Sequence, residues 1–233
     1  MHIQLNNLKK CFGEHVAVDI PHFTIGNGQV VGLVGNNGVG KTTLFRLMLD
    51  LAKATEGNVL IDGIDPATSE DWKLLTGAFI DNSFLIDFLT AEEYFEFVGK
   101  VSGMTKEQVE IRLKTFETFM GDEIIGKKKY IRDFSAGNKQ KIGIVAALLN
   151  SPQLVILDEP FNFLDPSSQN QLKRILTEFN RSTGATVMVS SHNLQHTVEI
   201  STRVALLENG KIIEDIDNSD GKAEEILDKY FNV

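Results

Sequence analysis

A single cysteine, Cys11, leaves the chain no internal disulfide and points to a reducing compartment. A lone thiol of this kind reads first as a small buried hydrophobe. Basic excess is missing as well. The chain has 23 Lys and Arg against 32 Asp and Glu, for a net charge of −9. A surface that grips nucleic acid carries a basic face, so no nucleic-acid partner is expected. No apolar run approaches the roughly 18 residues needed to span a bilayer. The longest block, Ile144–Leu149, is core-sized. The opening residues Met1-His2-Ile3-Gln4-Leu5-Asn6 lack the charged-then-apolar pattern of a targeting segment. Low-complexity tracts, long linkers and internal repeats are absent too.

What is present is enough to build a core: 42% of the 233 residues are hydrophobic. Val30-Val31-Gly32-Leu33-Val34, Leu154-Val155-Ile156-Leu157 and Thr186-Val187-Met188-Val189 are short, continuous apolar runs. Strands of this kind are buried on both faces, as in a parallel sheet covered by helices, and their alternation with helical patterns predicts an α/β fold. Thr90-Ala91-Glu92-Glu93 and Thr105-Lys106-Glu107-Gln108 fit the capping box and predict two helices within about 90–120. No strong strand falls between roughly 84 and 150, so that stretch reads as a helical insertion. Asp165-Pro166 opens another helix, and a last one is expected over Ala223–Phe231.

Gly35-Asn36-Asn37-Gly38-Val39-Gly40-Lys41-Thr42 fits G-x-x-x-x-G-K-[ST], after a strand and before a helix with Leu44, Leu47, Met48 and Leu51 on one face. Glycines let backbone N–H groups curl around phosphate oxygens, and the helix start adds partial positive charge. Lys41 is expected on the β and γ phosphates and Thr42 on Mg²⁺. This motif names a nucleotide phosphate binder without separating kinases, GTPases and ATPases. The run Leu154–Leu157 ends in Asp158-Glu159-Pro160. Acids at the end of a buried strand are costly unless they meet a cation. Asp158 is suited to Mg²⁺, and Glu159 to polarising a water aimed at the γ-phosphate. The run Thr186–Val189 leads to Ser190-Ser191-His192-Asn193. His192 lies on the ligand side of such a sheet. There it could hydrogen-bond the γ-phosphate and orient the water, though taken alone it reads first as a surface histidine ahead of a helix capped by Asn193. Ser135-Ala136-Gly137-Asn138 precedes the apolar helix Ile142–Leu149 and offers a second anion nest, or simply an N-cap at Ser135.

The order of these elements over about residues 1–215 resembles the ABC (ATP-binding cassette) ATPase family. That resemblance implies a P-loop NTPase fold, with a RecA-like parallel core sheet, an antiparallel β subdomain and an inserted α-helical subdomain. Residues 1–83 and 151–215 would form the core, 84–150 the insertion carrying the signature loop, and 216–233 a tail. Gly35–Thr43, with Thr43 closing it, looks like the Walker A loop; Asp158 and Glu159 look like Walker B and the catalytic glutamate; His192 looks like the switch histidine. Ser135-Ala136-Gly137-Asn138 looks like the signature loop, which binds the γ-phosphate of ATP held by a partner subunit. Asp165, in Asn162-Phe163-Leu164-Asp165, would act across the dimer interface. Phe12 matches the aromatic that stacks on adenine, where a core phenylalanine is the alternative.

The resemblance also implies ATP and Mg²⁺ as cofactors. The expected partners are a second copy or a paralogous ABC subunit, and integral membrane permease subunits. The expected place is cytoplasmic, peripheral on the inner face of the membrane. Two departures stand out. The signature reads Phe134-Ser135-Ala136-Gly137-Asn138 where Leu-Ser-Gly-Gly-Gln is commoner, and the position of the Q-loop glutamine holds Asp81, a further candidate Mg²⁺ ligand. An acidic residue there resembles the subset that exports drugs or antimicrobial peptides. The function expected is thus ATP hydrolysis that powers transport. The alternatives are a soluble mechanical ATPase, whose usual second cassette, coiled coils or zinc cysteines are missing here, and a small-molecule phosphotransferase, which leaves Ser135–Asn138 unexplained.

Overall fold

The computed structural model describes residues 1–231. Two long strands, β1 (Ile3–Phe12) and β2 (His15–Ile25), open the chain. β3 (Val30–Val34) is buried at every position and runs into the glycine-rich loop. Helix α1 (Lys41–Met48) follows, then β4 (Glu56–Ile61) and β5 (Thr76–Phe79). Next come α2 (Ala91–Val101), α3 (Lys106–Lys114), the short α4 (Glu117–Met120) and α5 (Ala136–Leu148). The chain continues through β6 (Leu154–Leu157), α6 (Pro166–Thr183), β7 (Thr186–Ser191) and α7 (Leu194–Val198). It ends with β8 (Arg203–Glu208), β9 (Lys211–Asp217) and α8 (Ala223–Phe231).

The helix starts follow from side-chain chemistry. Thr90 accepts from Glu93 N at 3.2 Å while Glu93 accepts from Thr90 N at 2.8 Å, and Thr105 with Gln108 repeats the pattern at the same distances. Each pair satisfies two otherwise orphaned donors. Three expectations need correction. Leu51 is not on the buried face of α1, because the helix ends at Met48, Asp50 turns left-handed (φ 53°) and Leu51 is exposed. Cys11 is only part-buried, at an irregularity where the β1–β2 register shifts. β9 pairs with β8 as far as Asp217, so the core runs past 215 and the tail starts after it.

β1, β2 and β4 form an antiparallel sheet in the order β2-β1-β4. The second sheet has the order β5-β6-β7-β3-β8-β9, parallel throughout except for the β8–β9 pair. Successive side chains of a strand point to opposite faces. Val155, Leu157, Val187 and Val189 pack with Phe95, Phe119 and Leu172 of the helices. Leu154, Ile156 and Met188 point the other way, toward Leu44 and Phe45 of α1 and Ile3 and Ile20 of the antiparallel sheet. Both faces are therefore covered, and the central strands read as unbroken apolar runs. α5 packs so closely on β5 that a Cβ at Gly143 would fall 2.1 Å from the Phe79 ring. The carboxyl ends of the adjacent strands β6, β7 and β3 lie side by side, where an open α/β sheet binds ligands.

Candidate functional site

The loop from Gly35 to Gly40 leaves β3 and turns into α1. Gly40 has φ 113°, and a Cβ there would fall 2.3 Å from the Ala17 carbonyl, so the loop lies directly against β2. The backbone N–H groups of Asn37, Gly38, Val39 and Gly40 find no acceptor among the described residues. Lys41 is 5% exposed. Its ammonium curls back over the loop to the carbonyls of Gly35 (2.7 Å) and Asn36 (3.1 Å) and to Glu159 Oε1 (3.3 Å). These donors and the start of α1 face a cavity of 270 Å³, walled on one side by Phe12. Phe12 is 56% exposed, so it is not a core phenylalanine. A larger hollow of 510 Å³ lies in the helical insertion, but Glu92, Glu96, Glu110, Glu117 and Asp122 line it against a single Lys114, a charge balance that repels phosphate.

Asp158 closes β6 under the loop. Its carboxylate accepts from the hydroxyls of Thr42 and Ser190. Burial pushes the Asp158 carboxyl above its ordinary pKa; the two hydroxyls and Lys41 pull it back, while the charge of Glu159 raises it further. Thr42 and Asp158 make an all-oxygen donor pair, which suits a hard cation. Among the described residues no cluster of three or more His, Cys, Asp or Glu is set to hold a metal. One carboxylate and one hydroxyl fit Mg²⁺, which keeps its waters and takes one or two carboxylates plus substrate phosphates.

Glu159 follows in a left-handed conformation (φ 47°), rare for a residue with a side chain. The turn sends its carboxylate between two partners. Oε2 lies 2.8 Å from His192 Nδ1, and Oε1 faces Lys41 without a hydrogen bond of good geometry. A buried carboxylate oxygen held this way is suited to orienting a water. The loop, Asp158, Glu159 and His192 thus share one site, joined by the cavity wall at Phe12.

A sequence profile of the ABC transporter family matches residues 18–162, more than half of the chain. The chain belongs to the ABC transporter family. It is 32% identical to the bacitracin transport ATP-binding protein BcrA of Enterococcus faecalis, over 94% of this chain and 70% of that protein. It is 31% identical to the lantibiotic transport ATP-binding protein SrtF of Streptococcus pyogenes, over 91% of this chain and 89% of that one. Identity to the methionine import ATP-binding protein MetN of Carboxydothermus hydrogenoformans is 30%, over 85% and 60% of the two chains. In structure it matches the dimeric post-hydrolysis state of the ATP-binding cassette MJ0796 bound to ADP and Pi, with TM-score 0.82 and 25% identity. That match covers 92% of this chain and 98% of the other. As an ABC ATP-binding domain, the chain binds ATP and hydrolyses it to ADP and phosphate.

The other expected ABC residues lie apart from this cavity. Ser135 caps α5 by accepting from Asn138 N at 3.2 Å. Gly137 rides on the loop after β6: a Cβ there would fall 2.7 Å from the Phe163 carbonyl. Asn138 has a partner of its own within the chain. Its side chain is buried and its amide donates to Glu123 Oε2 at 3.0 Å within the chain. Asp165 is the N-cap of α6, accepting from Ser167 N (2.9 Å), Ser168 N (3.0 Å) and the Ser168 hydroxyl (2.5 Å). Among the described residues Asp81 makes no hydrogen bond to Thr42 or Asp158. Its carboxylate caps the turn at Ser83 and meets Arg46 at 3.2 Å, since the short reach from β5 carries it to the flank of α1. One side chain of the site went unseen in the sequence: Ser190, which holds Asp158, had a signal as a hydroxyl residue at the end of a buried strand that must satisfy something.

Proposed function

We infer that this chain is the motor subunit of an exporter, working on the cytoplasmic face of a membrane with separate membrane-spanning subunits. The observation that carries the reading is the Glu159 carboxylate wedged between Lys41 and His192 at the mouth of the phosphate loop. Lys41 and the free N–H groups of 37–40 bind the triphosphate tail. Phe12 stacks on the base. Thr42 and Asp158 would hold Mg²⁺, which neutralises phosphate charge when bound. As the triphosphate draws Lys41 away, Glu159 is freed to take a proton from water, with His192 fixing its orientation. The water then attacks the γ-phosphate, giving ADP and phosphate.

Ser135–Gly137 lie outside this cavity, so the γ-phosphate needs a second copy, or a paralogous subunit, to present them. The dimeric cassettes among the structural neighbours support that pairing. The insertion 84–150 then moves against the core formed by 1–83 and 151–217, ahead of the tail that follows β9. Phe84, Phe88 and Phe97 are exposed around its first helix, which suits the segment 81–97 for docking to membrane subunits. Relatives named for bacitracin and lantibiotic transport favour export of peptide antibiotics. The test is Glu159→Gln. The variant is expected to bind ATP with turnover lowered about 100-fold or more, and to elute as a nucleotide-bound dimer on size-exclusion chromatography. Full ATPase activity would remove Glu159 from the role of base.

A further inference from the structure

One buried polar side chain joins the helical insertion to the loop that carries Glu159. Gln140 of α5 is 4% exposed, and its Nε2 donates to the Glu159 carbonyl at 3.2 Å. The left-handed turn at Glu159 persists only because its surroundings over-determine it. Ser190 Oγ accepts from Glu159 N at 2.9 Å, and Asn162 N donates to Glu159 O at 3.1 Å. Of these three holds, Gln140 alone comes from the insertion. One turn nearer the start of α5, Gly137 touches the carbonyl of Phe163, itself left-handed at φ 64°. The start of α5 is thus registered on the loop 159–163 at two points. The same helix end carries Ser135 as its cap.

We propose that Gln140 is a positioning residue for Glu159, tying the base's peptide to the seat of α5 so that the carboxylate is aligned only when that helix is in place. This rests on Glu159 being the base. The donor–acceptor geometry gives the coupling its direction. If α5 lifts, the Glu159 carbonyl loses a donor, the turn relaxes, and the carboxylate swings from Lys41 and His192. A shift of about 1 Å at a reacting group is enough to cost on the order of 100-fold in rate.

Gln140→Met keeps the length of the side chain and removes the donor. Measured on the full chain, ATP affinity and KM are expected to stay within about twofold of wild type while kcat falls about tenfold or more. In a Glu159→Gln background, where no base is left to misplace, adding Gln140→Met should change the residual rate by less than about twofold. An unchanged kcat in the single variant, or the same loss in both backgrounds, overturns the proposal. Should the Gln140→Met protein not fold, Gln140→Asn keeps the amide but retracts it by one methylene, and the same split between kcat and affinity is expected. If Glu159→Gln alone hydrolyses ATP at the full rate, the base assignment falls and this proposal with it. If that variant is inactive yet Gln140→Met runs at the full rate, only this proposal falls.

Discussion

At the floor of the phosphate cavity Lys41, Asp158 and Glu159 each find a partner within the chain, whereas the start of α5 turns its capping serine outward. The cavity floor is a closed electrostatic circuit. Lys41 meets Glu159, Glu159 meets His192, and Asp158 is held by Thr42 and Ser190. Ser135 in contrast is exposed, and its hydroxyl oxygen serves only Asn138 N. A buried charge has to be paired for the chain to fold, while an exposed N-cap can wait for a ligand. The first region is prepared within one copy. Under the proposed function the second becomes useful only when a phosphate held by another copy is brought to it.

Breaking the closed circuit should have the larger effect. Lys41→Ala removes the ammonium from the floor and leaves the Glu159 Oε1 atom without its ion pair. ATP hydrolysis is expected to fall about 100- to 1,000-fold, with ATP binding weakened in the same protein, as read by steady-state turnover and nucleotide titration. Ser135→Ala tests the open region. Turnover is expected to fall about tenfold or more, while a single copy binds ATP as before and the protein loses about 1 kcal/mol from the missing cap. Equal damage to ATP binding by both substitutions would erase the distinction between the two regions.

The closed region was also the more legible in sequence, for a physical reason. Its parts are consecutive: a glycine loop between strand and helix, two acids at a strand end, a histidine at another. Parallel topology brings such ends together without further information. The strands themselves were readable because both faces are buried, and the helices at Thr90 and Thr105 because capping boxes are local. What escaped was set by tertiary contact. The Glu159 turn depends on Ser190 and Gln140, each distant in sequence. The hydrogen bond from the Asn138 amide to Glu123 likewise joins residues 15 apart and leaves no local signal. Leu51 followed the helical period, but the helix ended before reaching it.

Asp81 sharpens the comparison from between the two regions, with the smallest effect. Burial alone would raise its carboxyl, but the Ser83 hydroxyl and N–H, with Arg46, hold it below the usual carboxylate range. A group so lowered contributes stability that is present above the unfolded pKa of about 3.9 and is lost as pH falls through the lower folded value. Asp81→Asn should therefore lower the melting temperature by a constant small amount between about pH 5 and 8, and the gap should close below about pH 4. The pair is largely exposed and salt-screened, so the loss should stay below about 1 kcal/mol and shrink further in high salt. Since its carboxylate is engaged by Arg46 and Ser83, ATP turnover at saturating Mg²⁺ should change by less than about twofold. A marked rise in the Mg²⁺ needed for half-maximal activity would return Asp81 to the metal beside Thr42 and Asp158. The tether to Arg46 would then be a resting contact that nucleotide breaks, and the flank of α1 would join the closed region.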